Sequence, residues 1–600
     1  MRPIALLALV ATWGLLALPR PLAAEGESPV PVVPAAAAPV GVAPTPAFVF
    51  PLADVRPGMK GYGLTVKSGT KIERFEIEVL DVVRTWLVKQ DLILARCLGP
   101  EFEDHRIAQG MSGSPIYIEG RLVGALAYTW GWSRHALAGI TPIETMLAEG
   151  SRPEEGRPSG AAPPTRLKTP KGAAAAATSP SDLRPIGTPL CVGGFSAAAR
   201  EALAEAAHAS GFTLAAGAAS TSGPALGPWV DGEAKLEPGC SICVELMRGD
   251  FSAAALGTCT WVEGNRVHGF GHEFQSLGET LLPMSVGYVY TIVSSQEISF
   301  KLGAPLRTVG ALVHDRPSGI TGFTDRVAPM VPFALTFRNA VTKREEKFAF
   351  EITPNTVMFQ KLLISAVQDA FSRAEATLGP NTKRYTMTVD LEGLEPFTYT
   401  DVIGGFDGGF QRVLVGLVDR VLNHESQRAQ FESVALEVEV EHVDRRATIQ
   451  SVTASVDEVR PGQTLELDVR LIPREPGKTL RLTIPVTIPA DAVAGDYVLA
   501  VMGGDFLPAE VPAPRDIADL PALFAAYSKA TEVVVVLPTG RVDLDLDGRI
   551  VRSVPLSSLP RLARSPGGSE GSLRPVTEKV RRDVPFVVAG NQNVSLRVVR

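Results

Sequence analysis

Hydrophobic positions along this chain alternate far more often than they recur at helical spacing. Phe75, Ile77 and Val79 alternate with Glu76 and Glu78, the two-residue period of a half-buried strand. Residues 91–96 read as a buried strand, and 116–118 with 122–128 as a hairpin turned at Glu119-Gly120. Segments 244–247, 256–262, 288–293, 298–302 and 533–537 add further strands, with a turn at Glu263-Gly264-Asn265 and a closing strand near Leu596. Helical signals are few: 143–147, the alanine-rich 197–209, 408–422, a short piece near 517–527, and 356–377. The last has Phe359, Leu362, Leu363, Val367 and Phe371 on one side.

This pattern predicts a mainly β, multidomain chain. Residues 47–148 form a small antiparallel barrel, and 149–184 are a linker of Pro, Gly, Ala, Ser and Thr, too broken to pack. A second β-rich unit covers 185–340 and an α/β region 341–430. An immunoglobulin-like sandwich is expected over 431–510, with a turn at Val459-Arg460-Pro461-Gly462-Gln463, and a C-terminal region over 511–600. No fixed-period repeat is present.

Composition narrows the function classes. In 600 residues the formal net charge is only -7, and no basic block stands out, which argues against a nucleic-acid partner. Arg2, the apolar run 4–18 and Leu22-Ala23-Ala24 read as a signal peptide over 1–24, cleaved before Glu25. A flexible leader follows over 25–46. The expected destination is outside the cytoplasm: periplasm, cell surface or medium. No later run is long and apolar enough to span a membrane. The five cysteines are too few, and odd in number, for a disulfide scaffold. Cys240-Ser241-Ile242-Cys243 is a single C-x-x-C beside a strand. It reads as two small buried residues, so neither metal nor other cofactor is expected.

The segment that points to chemistry is Gly110-Met111-Ser112-Gly113-Ser114-Pro115. Small residues flanking a serine let the backbone turn tightly and project the hydroxyl. The same turn aims the backbone N–H groups of Gly110 and Ser112 at one point, where a negative oxygen can develop in acyl transfer. Gly, Ser and Pro are also ordinary turn residues, so the motif alone leaves a structural turn open.

Two stretches resemble the SpoIVB serine peptidase family, a trypsin-like group. One is 107–116, followed by Gly120-Arg121-Leu122-Val123-Gly124-Ala125. The other is Leu256-Gly257-Thr258-Cys259-Thr260, then Val267-His268-Gly269-Phe270-Gly271-His272. The resemblance implies a trypsin-like double β-barrel made by the two β-rich units. In it Ser112 is the nucleophile, His272 the general base, and the N–H groups of Gly110 and Ser112 the oxyanion hole. An imidazole is suited to taking the serine proton because its pKa lies near neutrality. The chain departs from the family pattern in placing the serine block before the histidine block, in lacking a recognisable PDZ domain, and in having no acid at the expected place upstream of the serine. Asp91 is the nearest acid on a strand and the candidate orienting acid. Glu103 and Asp104 lie in a loop, and Asp250 and Asp315 are alternatives in the second unit. His105, close to Ser112 in sequence, is a competing histidine, and His268, four residues before His272, would share a strand face with it as the start of a metal site, for which no third ligand stands at telling spacing.

The expected function is therefore an exported serine endopeptidase acting on proteins or peptides through an acyl-enzyme, with 150–184 a self-cleavage site. The competing expectation is a non-catalytic cell-envelope binding or scaffold protein on a protease-like fold, with envelope partners held by its C-terminal parts.

Overall fold

The computed structural model describes residues 46–599 apart from internal stretches, of which 152–182, 217–233, 505–515 and 552–571 are the longest. The expected signal peptide, almost all of the leader, most of the linker with its self-cleavage site, and most of the 408–422 helix lie outside the described residues. The protein is mainly β, with 57% strand and 14% helix, and includes a closed six-stranded barrel.

The first unit contains β1 (Lys60–Val66), β2 (Ile72–Leu87), β3 (Gln90–Leu98), helix α1 (Glu101–Asp104), β4 (Pro115–Ile118), β5 (Arg121–Trp130), β6 (Leu137–Pro142) and helix α2 (Ile143–Gly150). The sheet runs β4-β1-β2-β3-β6-β5, and β4 pairs with β5, which closes the ring. Strand β7 (Leu183–Pro185) attaches to β5 at Tyr128–Trp130. Phe75, Ile77 and Val79 of β2 are buried in the barrel core, while Glu76 and Glu78 turn outward. Strand β5 instead buries every residue from Leu122 to Tyr128. A strand covered on both faces loses its alternation.

The second unit begins with β8 (Thr188–Gly193), helix α3 (Ala197–Ala209), β9 (Phe212–Ala216), β10 (Ser241–Gly249), β11 (Ser252–Glu263), β12 (Arg266–Gly269), β13 (Gly278–Val293), β14 (Phe300–Arg316) and β15 (Gly319–Phe323). These belong to a 13-stranded sheet, in which β10 pairs with both β13 and β11. The pairings β10-β13-β14-β15-β12-β11 thus return to their start. The sheet continues through β16 (Val331–Asn339), β17 (Glu345–Ile352), β18 (Thr382–Leu391), β19 (Phe397–Gly404) and β20 (Phe431–Glu441). Helix α4 (Phe359–Ala374) packs on it, with Phe359, Leu362, Leu363, Val367 and Phe371 all buried in the common core.

The strand at 431–441 thus belongs to the large sheet, not to the sandwich expected from residue 431. From Arg446 onward a four-stranded and a six-stranded sheet share one core. Their strands come from as far apart as 446–454 and 591–598. The separate C-terminal region expected over 511–600 supplies part of that core, including Val533, Val535, Val588 and Leu596. Among the described residues no helix is long and apolar enough to cross a membrane.

Candidate functional site

The serine turn joins α1 to β4, and its backbone is held residue by residue. The Ala108 carbonyl accepts from Met111 N (3.1 Å), Gln109 from Lys301 N (2.9 Å) and Ser112 from Thr258 N (2.8 Å). The Gly110 carbonyl accepts from Thr258 Oγ1 (2.9 Å) and Gly113 from Thr260 Oγ1 (2.7 Å). That of Met111 accepts from both the N–H (3.0 Å) and the hydroxyl (2.6 Å) of Ser114. Ser114 itself accepts from Leu126 N (2.9 Å). Gly110 and Gly113 have φ of +86° and +91°, which favours glycine. A Cβ on Gly113 would stand 2.0 Å from the Thr258 carbonyl oxygen and 2.5 Å from Phe270 N. The motif therefore lies flat against β11.

Of the N–H groups from Gln109 to Ser114, those of Gly110 and Ser112 find no acceptor among the described residues. Peptide planarity explains their direction. The carbonyl of Gln109 is fastened by Lys301, so the Gly110 N–H in the same peptide must point the opposite way; Ser114 does the same for the Met111–Ser112 peptide. Ser112 is fully buried, and its hydroxyl also lacks a partner. Buried backbone donors are almost always paired in native proteins. Two unpaired donors and an unpaired hydroxyl within three residues form a polar site with no internal occupant.

His272 approaches the same strand from its other neighbour. Phe270 N donates to the Thr258 carbonyl (3.3 Å), and Phe270 and Gly271 both take positive φ, +63° and +72°, turning the chain out of β12. The Gly271 carbonyl accepts from Thr141 Oγ1 of β6 (2.6 Å), and a Cβ there would stand 2.9 Å from that of Ala125 and 3.0 Å from that of Ala127 on β5. The small side chains of β5 thus admit the histidine loop onto the first barrel. The Asp315 carboxylate fastens the loop from behind, accepting from the N–H groups of Phe274 (2.6 Å), Gln275 (2.8 Å) and Leu277 (2.9 Å). The serine and histidine blocks therefore meet at Thr258 of β11.

The His272 ring is 3% exposed and lies near Tyr128 and Phe270. Its Nδ1 is 2.6 Å from the Glu273 carbonyl, so Nδ1 carries the proton and Nε2 the lone pair. Nε2 is buried without a hydrogen-bond partner. Burial lowers the ring's pKa below the usual 6.5, opposed by the Glu273 carbonyl, the Asp315 charge and the Ile186 carbonyl. Ser112 and His272 are not hydrogen-bonded to each other.

The orienting acid named from the sequence lies elsewhere. Both Asp91 oxygens are engaged near the β2–β3 hairpin, by Arg84 (2.7 Å) and Thr85 N (2.8 Å), and these contacts hold its pKa below the usual range. The position an orienting carboxylate would take on His272 Nδ1 belongs to the Glu273 carbonyl. Asp250 caps the edge of β17 through Ala349 N (2.7 Å), whereas Asp315 supports the histidine loop. Among the histidines, His105 contacts the Arg106 carbonyl (2.7 Å). His268 lies against Thr321 and Gly150, with its pKa pulled down to about 4 by burial and Arg266. No group of three metal-ligating side chains occurs among the described residues, and all five cysteines are free and buried.

Two residues at the site escaped the sequence reading. Thr258 makes three of the bonds described above. Lys301 is fully buried, with Nζ donating to Thr65 Oγ1 (2.8 Å) and Thr258 Oγ1 (3.2 Å). The available signal was a lone lysine between Phe300 and Leu302 in an apolar stretch at the start of the strand. Beside the turn a cleft of about 50 Å³ opens, lined by Gln109, Ile186, His105, Trp130, Arg184 and Ser299 among others. Comparison of the chain with protein-family models, curated proteins and solved structures returns no match.

Proposed function

We propose that this chain is an exported serine endopeptidase of the SpoIVB type, its two closed rings of strands acting as the halves of a trypsin-like double barrel. One observation carries the reading: the N–H groups of Gly110 and Ser112, the Ser112 hydroxyl and His272 Nε2 are all unpartnered in buried residues, and the serine turn and the start of the histidine loop both bond to Thr258 of β11. Each is a group that acyl transfer requires, in the state it requires.

In this mechanism a peptide carbonyl enters beside Gln109, and His272 Nε2 takes the Ser112 proton as Oγ attacks. The tetrahedral oxygen gains the two free N–H groups. His272 then passes its proton to the leaving amine, and water clears the acyl-enzyme by the reverse path. The Glu273 carbonyl keeps the correct tautomer, but a neutral carbonyl stabilises an imidazolium less than a carboxylate does. Changing the triad acid to an amide costs about four orders of magnitude elsewhere. A slow, regulatory or self-cleaving enzyme suits that chemistry better than a digestive one. Because Ser112 and His272 are buried, the cleft at Gln109 and Ile186 must widen for substrate to reach them.

A second reading is favoured by the same burial. A fully buried hydroxyl and a histidine held by a carbonyl in place of an acid fit a non-catalytic envelope scaffold that retains the fold. A fluorophosphonate probe separates the two. The peptidase reading expects a covalent adduct on Ser112 by peptide mass spectrometry, lost in both Ser112→Ala and His272→Ala. Folded protein that never labels supports the scaffold.

A further inference from the structure

We infer that Lys301 is a positioning residue of the Ser112 site, which holds the Gly110–Ser112 turn through Thr258 while its amine is uncharged and loosens it on protonation. The inference rests on the peptidase reading for its catalytic consequence, though not for its chemistry. Lys301 touches the turn twice. Its backbone N–H fastens the Gln109 carbonyl and so aims the Gly110 N–H. Its Nζ reaches Thr258 Oγ1, which passes its own proton to the Gly110 carbonyl, while Thr258 N holds the Ser112 carbonyl. The lysine stem lies 3.3 Å from where a Gly110 Cβ would be, so it runs alongside the turn and crowds any side chain at that position.

Hydrogen-bond counting favours the neutral amine. Nζ has two acceptors, Thr65 Oγ1 and Thr258 Oγ1, and a neutral amine has two N–H groups to give. An ammonium brings a third N–H, for which the described residues offer no acceptor, and a charge for which they offer no carboxylate partner. The titratable groups acting on it are the thiols of Cys240, just before β10, and Cys243, within β10, and these only partly oppose burial. Burial accordingly pulls the Lys301 pKa from 10.5 down to about 7. Protonation must then recruit water or displace Thr258, and either disturbs the hydroxyl that fixes the Gly110 carbonyl.

The test is the pH dependence of Ser112 labelling by a fluorophosphonate, from pH 5 to 9. Wild type should show a limb near pH 7, above that of His272, which lies below 6.5. In Lys301→Met the upper limb should vanish, leaving the lower one. Thr258→Val, which keeps the lysine but cuts its link to the turn, should lose the same limb, and Thr258→Ser should restore it. A limb near pH 7 that persists in Lys301→Met and Thr258→Val overturns the assignment while leaving the peptidase reading intact. Absence of any adduct in wild type overturns the peptidase reading instead. The buried amine then still answers to a second measurement. Unfolding returns Lys301 to a pKa near 10.5, so wild-type stability should fall as pH drops from 10.5 to 7 and level off below. The melting temperature of Lys301→Met relative to wild type should rise across that window. A difference constant with pH would show that Lys301 carries the same charge folded and unfolded, and would defeat the inference.

Discussion

At the scale of single residues, the site is defined by groups that fail to pair. A buried polar group without a partner costs about 1–3 kcal/mol, so each of the four orphans on the serine turn and His272 subtracts from stability. Such a cost persists where activity requires it. For Ser112→Ala this gives a specific expectation: loss of labelling, with a melting temperature equal to or above that of wild type. A fall of several degrees would mean that the hydroxyl has a stabilising partner. The serine motif and its two N–H groups were legible in the sequence because turn chemistry is local, set by Gly110, Gly113 and Pro115. The misjudged acid was not. Asp91 is the nearest strand acid along the chain, but an orienting group is chosen by distance in space, and there the Glu273 carbonyl stands.

At the scale of elements, patterning located strands whether one face is buried or both, but where both are buried it left the long-range pairings open. Helix α3 spans Ala197–Ala209, the range its alanine content predicts, and β2 alternates as Phe75, Ile77 and Val79 require. Strands β5, β10 and β11 are buried over most of their length; their hairpin neighbours β4 and β12 follow from the turns, whereas the pairings of β5 with β6, β10 with β13 and β11 with β8 do not follow from their own residues. The histidine loop is the element with most at stake. Its geometry depends on one carboxylate accepting three N–H groups. Asp315→Ala should leave those donors buried and unpaired, at a cost of about 3 kcal/mol or more. Amide hydrogen exchange at Phe274, Gln275 and Leu277 should accelerate, and Ser112 labelling should fall with it. Unchanged protection of these amides would show that the loop is held by something else.

At the scale of the whole molecule, the first barrel cannot complete its own turn. Five carbonyls and N–H groups between Gln109 and Gly113 are bonded by Thr258, Thr260, Ser299 and Lys301, all from the second unit. The fragment 47–150 expressed alone should therefore lack a cooperative thermal transition by circular dichroism, whereas 47–445 should retain one; a sharp transition in the short fragment would show that the units are independent. The chain by itself determined the local matters: that it is mostly strand, where its turns fall, which helix faces are apolar, and which serine stands in a nucleophile-like turn. These depend on residue spacing and backbone preference over a few positions. Tertiary structure alone decided the closure of the strand rings, the transfer of 431–441 into the large sheet, and the meeting of both blocks at Thr258. It also decided the burial of Lys301 beside them. Hydrogen bonds between strands carry no sequence signature of their partner, and a side chain's ionisation depends on the solvent excluded around it rather than on its neighbours along the chain.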